Sequence, residues 1–424
     1  MMGSMRLALR LIFVLLPVSA ASAGVNPPTI QFIPQMEWVH GVSDDGTTVV
    51  GNTSGAGAYY WTYDLGAQFI GGQSVVPGAS YVVGISGDGS TIGGDAVGDD
   101  GKIRASRWIG GTSWENLPAF SDSSTVDGHQ TSFHGINADG SVIVGLGWSF
   151  VTGGALGRVW NTGGTNQTVM SVYPGTSTRL NGTNDLGTVH WGWNASPSGA
   201  WYGLRRANGV SNLITYSAPG GATHNCGEAM GGSPSGHVLV GRIIFSSGLN
   251  AGWRWDQATN TTTPIYNASG FSGSPFPADV TADGAMIVGT TGGLPPGRQA
   301  LLWIGGASPI RLYDWLLAQG TVGLTDYTEL GNAIGITPDG RFIVGWGSGV
   351  AGTPLGGWIV DTDPATPCPA DINGDGEVSS SDLAAVLAEW GGCFQSTCPS
   401  DLNFDGFVDA NDLSILLSAW GLCP

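Results

Sequence analysis

Two stretches near the end of the chain place oxygen-bearing side chains at matching positions of a twelve-residue frame. The first runs Asp371-Ile-Asn-Gly-Asp-Gly-Glu-Val-Ser-Ser-Ser-Asp382. The second runs Asp401-Leu-Asn-Phe-Asp-Gly-Phe-Val-Asp-Ala-Asn-Asp412. Positions 1, 3, 5 and 12 are Asp371, Asn373, Asp375 and Asp382 in one, and Asp401, Asn403, Asp405 and Asp412 in the other. Calcium is a hard cation that takes about six to eight oxygens, and a loop of this spacing curls its side chains around one point. Gly376 and Gly406 permit the sharp turn. Glu377 and Phe407 offer backbone carbonyls, and Ser379 and Asp409 act directly or through a water. The chemistry implied is the binding of two Ca2+ ions. Acidic turns without metal would need eight ligand-type side chains and two glycines to coincide in register by chance.

Each loop is followed by an amphipathic stretch, Leu383 to Trp390 and Leu413 to Trp420. Pro369 and Pro399 argue against a helix entering either loop. Four of the five cysteines bracket the same units: Cys368 and Cys393 are 25 residues apart, as are Cys398 and Cys423, with a period of 30. The favoured pairing is Cys368–Cys393 and Cys398–Cys423; spacing alone leaves the other two connectivities open. A module this small is short of core, for which bound metal and disulfides are the usual remedies. A duplicated loop with Asp at position 12 and no entering helix resembles a type I-like dockerin domain over Cys368 to Cys423. The resemblance implies docking to a cohesin-like protein through Ser380, Ser381 and Leu387 in the first copy and Ala410, Asn411 and Leu417 in the second. Trp390, Trp420 and the bracketing cysteines depart from the cellulosomal pattern, so an intramolecular contact or no partner stays open.

Other chemistry-bearing residues are fewer. No nucleophile elbow, His-Glu-x-x-His or phosphate-binding loop occurs. Asp45, Asp88, Asp139, Asp283 and Asp339 recur in Asp-Gly pairs, which reads as turn chemistry rather than catalysis. His40 and His134 occupy equivalent places on what should be an innermost strand, where other units carry Val83, Asn181, Met230, Ala278 and Ile334. Cys226 reads as a small buried hydrophobe. Seven Trp residues (61, 108, 160, 201, 255, 303 and 358) read as one repeat position packed between units. Trp148, Trp191, Trp193 and Trp346 fall outside it and are candidates for a binding face that holds a glycan.

These residues ride on an internal repeat. A Gly-apolar-Ser/Thr/Asn-turn-Gly unit closing on a further Gly runs from Gly41 to Gly51, then from Gly84, Gly135, Gly182, Gly231, Asp279 and Gly335. The turn glycines 46, 89, 140, 187, 236, 284 and 340 step by 43, 51, 47, 49, 48 and 56 residues. Each unit reads as about four short strands, so the fold expected is mainly β: a seven-bladed β-propeller of ~45–50-residue repeats, then a small α-helical calcium module. A β-solenoid is the rival, but its coils are usually shorter. The last unit lacks its final strand, and Thr29 to Pro34 is expected to supply it and lock the ring. The turn, the following Val-x-Gly and the later Trp make Met36 to Asp361 similar to the HAF-type extracellular repeat family, which implies export and repetition.

The 424-residue chain suits one large domain and one small one. It is 41% apolar and only 11% charged, with 72 glycines, and carries a net charge of −18. Eleven acids and no Lys or Arg lie between Asp361 and Pro424. Such a balance argues against nucleic acid. Arg6 and Arg10, an apolar run from Leu7 to Val18 and Ala21-Ser22-Ala23 read as a secretory signal. The domains expected are 1–23 signal peptide, 24–362 propeller, 363–367 linker and 368–424 calcium module, in a secreted or cell-surface protein with no membrane span after signal removal. The leading functional expectation is a non-catalytic binding protein. The alternatives are a carbohydrate-active enzyme of polysaccharide degradation, which would need two carboxylates in one pocket, and a structural envelope protein.

Overall fold

A computed structural model describes residues 27–33, 35–53, 57–71, 81–110, 114–245, 251–267, 274–291, 298–306, 308–324, 327, 329–349, 356–362, 370–373, 377–392, 398–403 and 406–422. The expected signal peptide and linker lie outside these residues, as do Asp375, Asp405, Cys368, Cys393 and Cys423.

The repeat folds into seven antiparallel sheets arranged as propeller blades. Their inner strands are Trp38–Val42, Tyr81–Ile85, Thr131–Ile136, Thr178–Thr183, Ala229–Gly232, Phe276–Val280 and Glu329–Ile336. Thr29–Ile33 pairs with Gly357–Asp361, from Thr29 opposite Asp361 to Ile33 opposite Gly357, so the N-terminal strand completes the last blade. One departure from the repeat is blade four, a six-stranded sheet that adds Thr223–Cys226 and Ile244–Phe245. Another is helix α1, Leu312–Ala318, between blades six and seven; its Leu312 and Leu316 join the core.

Every inner strand carries a register shift at the same place, after Val39, Val82, Phe133, Leu180, Ala229, Pro277 and Ala333. The bulged residue is in turn His40, Val83, His134, Asn181, Met230, Ala278 and Ile334. This bulge explains the Val-x-Gly of the repeat. A Cβ on the glycine opposite would meet an inner-strand carbonyl, that of Ser132 for Gly145 and of Asn332 for Gly345. The turns also follow from sequence. The seven turn glycines all have φ between 67° and 79°. Asp45 accepts hydrogen bonds from Ser43 and Thr47, and Asp88 from Ser86 and Ser90. Partial burial works against these charges, but the hydrogen bonds hold both carboxyls below the usual range. These aspartates are turn caps.

Blades are stapled by the residue after that second-strand glycine. Asn52 exchanges two 2.9 Å hydrogen bonds with the Val82 backbone, and Asp95 accepts from the Phe133 N–H at 2.7 Å. Burial pushes the Asp95 carboxyl up to about 7, against the hydrogen bonds it accepts. A folded pKa above the unfolded value means a contribution fully present below pH ~4 and lost as pH rises to about 7. Asp95→Asn is therefore expected to match wild type near pH 4 and exceed it at pH 8 by on the order of 2–4 kcal/mol. Denaturant melts at the two pH values measure this; an equal difference at both would refute it.

The recurring tryptophan is less regular than the sequence suggests. Trp61, Trp108, Trp160, Trp255 and Trp303 pair with equivalent second-strand residues (Val49, Ile92, Ile143, Leu239 and Ile287). By the same register that position is Arg206 in blade four and Val360 in blade seven. Trp358 lies two residues earlier and is wholly buried. Trp201 opens its strand opposite Ala195 and is 38% exposed. Conversely Trp191 is buried in the core beneath blade five, and it also lines the central channel.

Candidate functional site

The tail is built as two near-identical halves. Helix α2, Ser380–Ala388, and helix α3, Ala410–Ser418, begin earlier than the apolar pattern alone suggests, because each opens inside its loop. Ser379 and Asp409 are the N-caps, closing capping boxes with Asp382 and Asp412. Among the described residues no helix enters either loop. Glu377–Val378 pairs with Gly421–Leu422, and Gly391–Gly392 with Phe407–Val408, so each loop is clipped to the segment after the other copy's helix. Ala370, Val378, Val386, Leu402, Val408 and Leu416 form the core, with Cys398 packed against it.

Asp382 and Asp412 are fully buried. Asp382 accepts N–H hydrogen bonds from Asn373 at 3.2 Å and Ser379 at 2.9 Å. Asp412 accepts from Leu402 and Asp409, each at 2.7 Å, and from Asn403 at 3.2 Å. Desolvation would raise the Asp382 carboxyl, but these donors hold it below the usual range. Asp401 is buried and accepts from the Gly406 N–H at 2.9 Å, while Asn373, Asn403, Ser379 and Asp409 stay at least partly exposed. The set suits a hard cation: every candidate donor is oxygen, the position-12 carboxylates are buried, and the segment from Asp361 onward holds no Lys or Arg. Outside the loops, the outer face of each helix and the turn just after it stay open. Leu387, Trp390, Leu417 and Trp420 are 55%, 48%, 53% and 49% exposed. Ser380, Ser381, Ala410 and Asn411 are exposed on the same helices.

In the propeller, the inner strands enclose a cavity of about 280 Å³ lined by His40, Asn181, Met230, Ala278 and Ile334, with Asp44, Asp185 and Asp279 also on its wall. Burial holds His40 down to about 4, and burial with nearby Arg179 holds His134 down to about 3. Both imidazoles are therefore neutral near pH 7. Burial with Asp44 nearby pushes Asp185 up to about 7, and burial does the same for Asp279. Among the described residues no three His, Cys, Asp or Glu side chains gather as a metal centre. Cys226 is buried, and burial pushes its thiol up to about 12, as suits an inert core residue.

Trp148, Trp193 and Trp346 lie at or near the far ends of their second strands, away from the Asp-Gly turns. Trp193 stacks on Trp201 at 4.7 Å and 11°. Beside them Glu228, 2% exposed, sits between Arg179 and Arg242. Glu228, Arg179 and Arg242 escaped the sequence reading. The signal they left was indirect: units four and five are where the turn motif degenerates.

Residues 369–419 match the model of the dockerin type I domain. Dockerin domains bind calcium, imply a cohesin partner, and occur in extracellular or cell-surface proteins. No curated protein matches the chain. Among solved structures, the β-propeller domain of the Trilobed protease from Pyrococcus furiosus is similar at 11% identity and a TM-score of 0.45, over 79% of this chain and 94% of that one. TolB from Acinetobacter baumannii gives 10%, 0.39, 75% and 80%. Oligogalacturonate lyase from Vibrio parahaemolyticus gives 11%, 0.47, 80% and 92%. Likenesses this low carry no argument about chemistry. Among the described residues no helix is long and apolar enough to cross a membrane. The chain joins a seven-bladed β-propeller to a C-terminal dockerin type I domain.

Proposed function

We propose that this is an exported, non-catalytic binding protein. Its propeller (24–362) holds a ligand, a glycan on one face. Its tail (368–424) takes up two Ca2+ ions through Asp371, Asn373, Asp375, Glu377, Ser379 and Asp382, and through Asp401, Asn403, Asp405, Phe407, Asp409 and Asp412. Calcium-ordered, the tail docks to a cohesin-type or cell-surface partner, with Cys368–Cys393 and Cys398–Cys423 each closing one unit. The observation that carries this reading is the pair of open helix faces. A domain whose core is already filled leaves Leu387, Trp390, Leu417 and Trp420 in solvent, and apolar side chains so placed mark an interaction surface. Full-length protein is expected to be captured by immobilised cohesin in calcium and released by EDTA. Because the copies are near-equivalent, the double variant Leu387→Asp/Leu417→Asp is the decisive one, with an expected loss of at least about tenfold, or ~1.4 kcal/mol. Capture that persists in EDTA, or an unaffected double variant, would sink the docking reading.

A second reading, a carbohydrate-active enzyme, draws support from the channel. Its wall carries Asp44, Asp185 and Asp279, two of them pushed to about 7. Glycoside hydrolysis uses two carboxyl groups facing one cavity, and a raised carboxyl such as that of Asp185 or Asp279 is the form its general acid takes. Release of reducing ends from polysaccharide by wild type but not by Asp185→Asn would favour this reading over the first.

A further inference from the structure

The first and second strands of blades four and five rebuild the staple position of the repeat into something else. Where blades one and two place Asn52 and Asp95, blades four and five place Trp193 and Arg242. Across from these, on the inner-strand side, stand Arg179 and Glu228. Arg242 donates to Glu228 Oε2 from Nε at 3.0 Å and Nη2 at 2.6 Å. Arg179 Nη2 donates to Glu228 Oε1, as does Asn181 Nδ2 at 2.9 Å. One buried carboxylate is thus shared by two guanidiniums, which leaves a local charge of +1 on a chain of −18. Both arginines keep solvent access, with side chains 25% and 33% exposed.

Arg242, Glu228 and Trp201 line one cavity of about 350 Å³ with Gly199, Gly227 and Ile243. That is the lower end of the range for small-ligand sites, roughly 300–1,000 Å³. The indole of Trp201 is held in place: it stacks on Trp193, Arg179 lies 5.6 Å over Trp193, and Asn225 donates to the Trp201 carbonyl at 2.9 Å. A strained residue is also built into the wall. Ile243 has φ +64°, a left-handed conformation that a β-branched side chain rarely adopts. The surrounding bonds enforce it: the Gly227 N–H donates to the Ile243 carbonyl at 2.7 Å, and the Arg242 N–H to the Glu228 carbonyl at 3.1 Å. Strain of this kind is kept where the surroundings over-determine it, and it clusters at binding sites. It arises where the extra strand Ile244–Phe245 crosses back to blade four, the point where the repeat is broken.

An indole with an open surface stacks on the apolar face of a pyranose ring. The Arg242 guanidinium, held on its Nε/Nη2 edge by Glu228, keeps its Nη1 end and part of its charge to meet a carboxylate. We infer that this cavity is a subsite for a hexuronate, a sugar bearing a ring-attached carboxylate, within an extracellular oligosaccharide. The inference rests on the reading that the propeller holds a glycan, and it gives that glycan a place and a charge. Trp201 supplies the stacking platform. Arg242 supplies the carboxylate contact. Glu228 and Arg179 position Arg242 rather than touch the sugar.

Titration calorimetry with the calcium-loaded full chain tests it, using hexuronate tetramers (mannuronate, guluronate and galacturonate) and their carboxyl-reduced counterparts. Wild type is expected to bind at least one acidic tetramer at least tenfold tighter than its reduced form, with affinity falling as salt rises. Trp201→Ala, a change at a half-exposed surface residue, is expected to lose at least tenfold for that tetramer. Arg242→Lys keeps the charge beside Glu228 and so guards against misfolding; it is expected to lose discrimination between acidic and reduced forms. Equal affinity for the reduced form, or an acidic ligand unaffected by Trp201→Ala, overturns the subsite while leaving a glycan-binding propeller standing. Binding to no sugar overturns both the subsite and the glycan, and leaves the calcium-dependent docking to stand on its own capture experiment.

Discussion

Chelation of calcium is expected to unfold the tail while the propeller keeps its β signature in far-UV circular dichroism, with the emission of Trp390 and Trp420 changing alongside. Asp382 and Asp412 are fully buried acids in a segment without a cationic side chain. Among the described residues, N–H dipoles are what meets their charges without an ion. Six buried apolar residues among those described are a thin core for such a module. Binding to the folded state alone stabilises by about 4 kcal/mol at a thousandfold excess over the dissociation constant, which is a large share of what so small a core supplies.

The two roles of Asp382 can be separated by substitution. As a capping-box member it accepts the Ser379 N–H, which a neutral amide oxygen also does; as the twelfth loop residue it must be charged. Asp382→Asn is expected to keep the Ser379 cap but to give up the Asn373 N–H, which meets the second carboxylate oxygen and which an amide NH2 cannot accept. In EDTA it therefore falls between wild type and Asp382→Ala, and it loses more than about 100-fold in calcium affinity at the first loop. Asp382→Ala is expected to fail on both counts. A tail whose dichroism and tryptophan emission ignore EDTA, or an Asp382→Asn variant with wild-type calcium affinity, would falsify the ligand assignment.

The ring closure carries the second large effect. Ile33 and Met36 are fully buried and Ile30 nearly so, all from the segment that returns to pair with the last blade. Ile33 packs in the core shared by the first and last blades, so its loss loosens the seam between chain ends rather than one blade. Ile33→Ala is expected to cost about 2–5 kcal/mol in denaturant melts. Removal of Thr29–Ile33 is expected to leave Gly357–Asp361 as an open edge and give concentration-dependent aggregation. An Ile33→Ala variant that melts at the wild-type midpoint would mean that the seam contributes little, against the burial seen.

Sequence and structure divide the account along physical lines. The calcium frame was legible because each loop is local: twelve consecutive residues hold the side chains, the turn glycine and the cap. The blade number was legible for the same reason, since the turn glycine is a short-range device repeated seven times, five of them after Asp, and it takes the positive φ that the turn needs. The N-terminal closing strand could be read because one unit lacked a strand and another segment was left over. Long-range register was not legible. Trp201 and Trp358 were counted with the packing tryptophans because spacing along the chain does not reveal which second-strand residue they oppose. Trp191 stands outside the repeat position as its spacing indicates, but only the register shows that it packs in the core and lines the channel. The Arg179–Glu228–Arg242 cluster joins residues of different blades, 49 and 14 apart in the chain, and no local pattern announces it. The sequence by itself determined the repeat, the turns and the ion frame. Only the tertiary structure decided which strand faces which, and so which tryptophan stands in solvent beside two arginines, because that depends on inter-strand register and blade contacts.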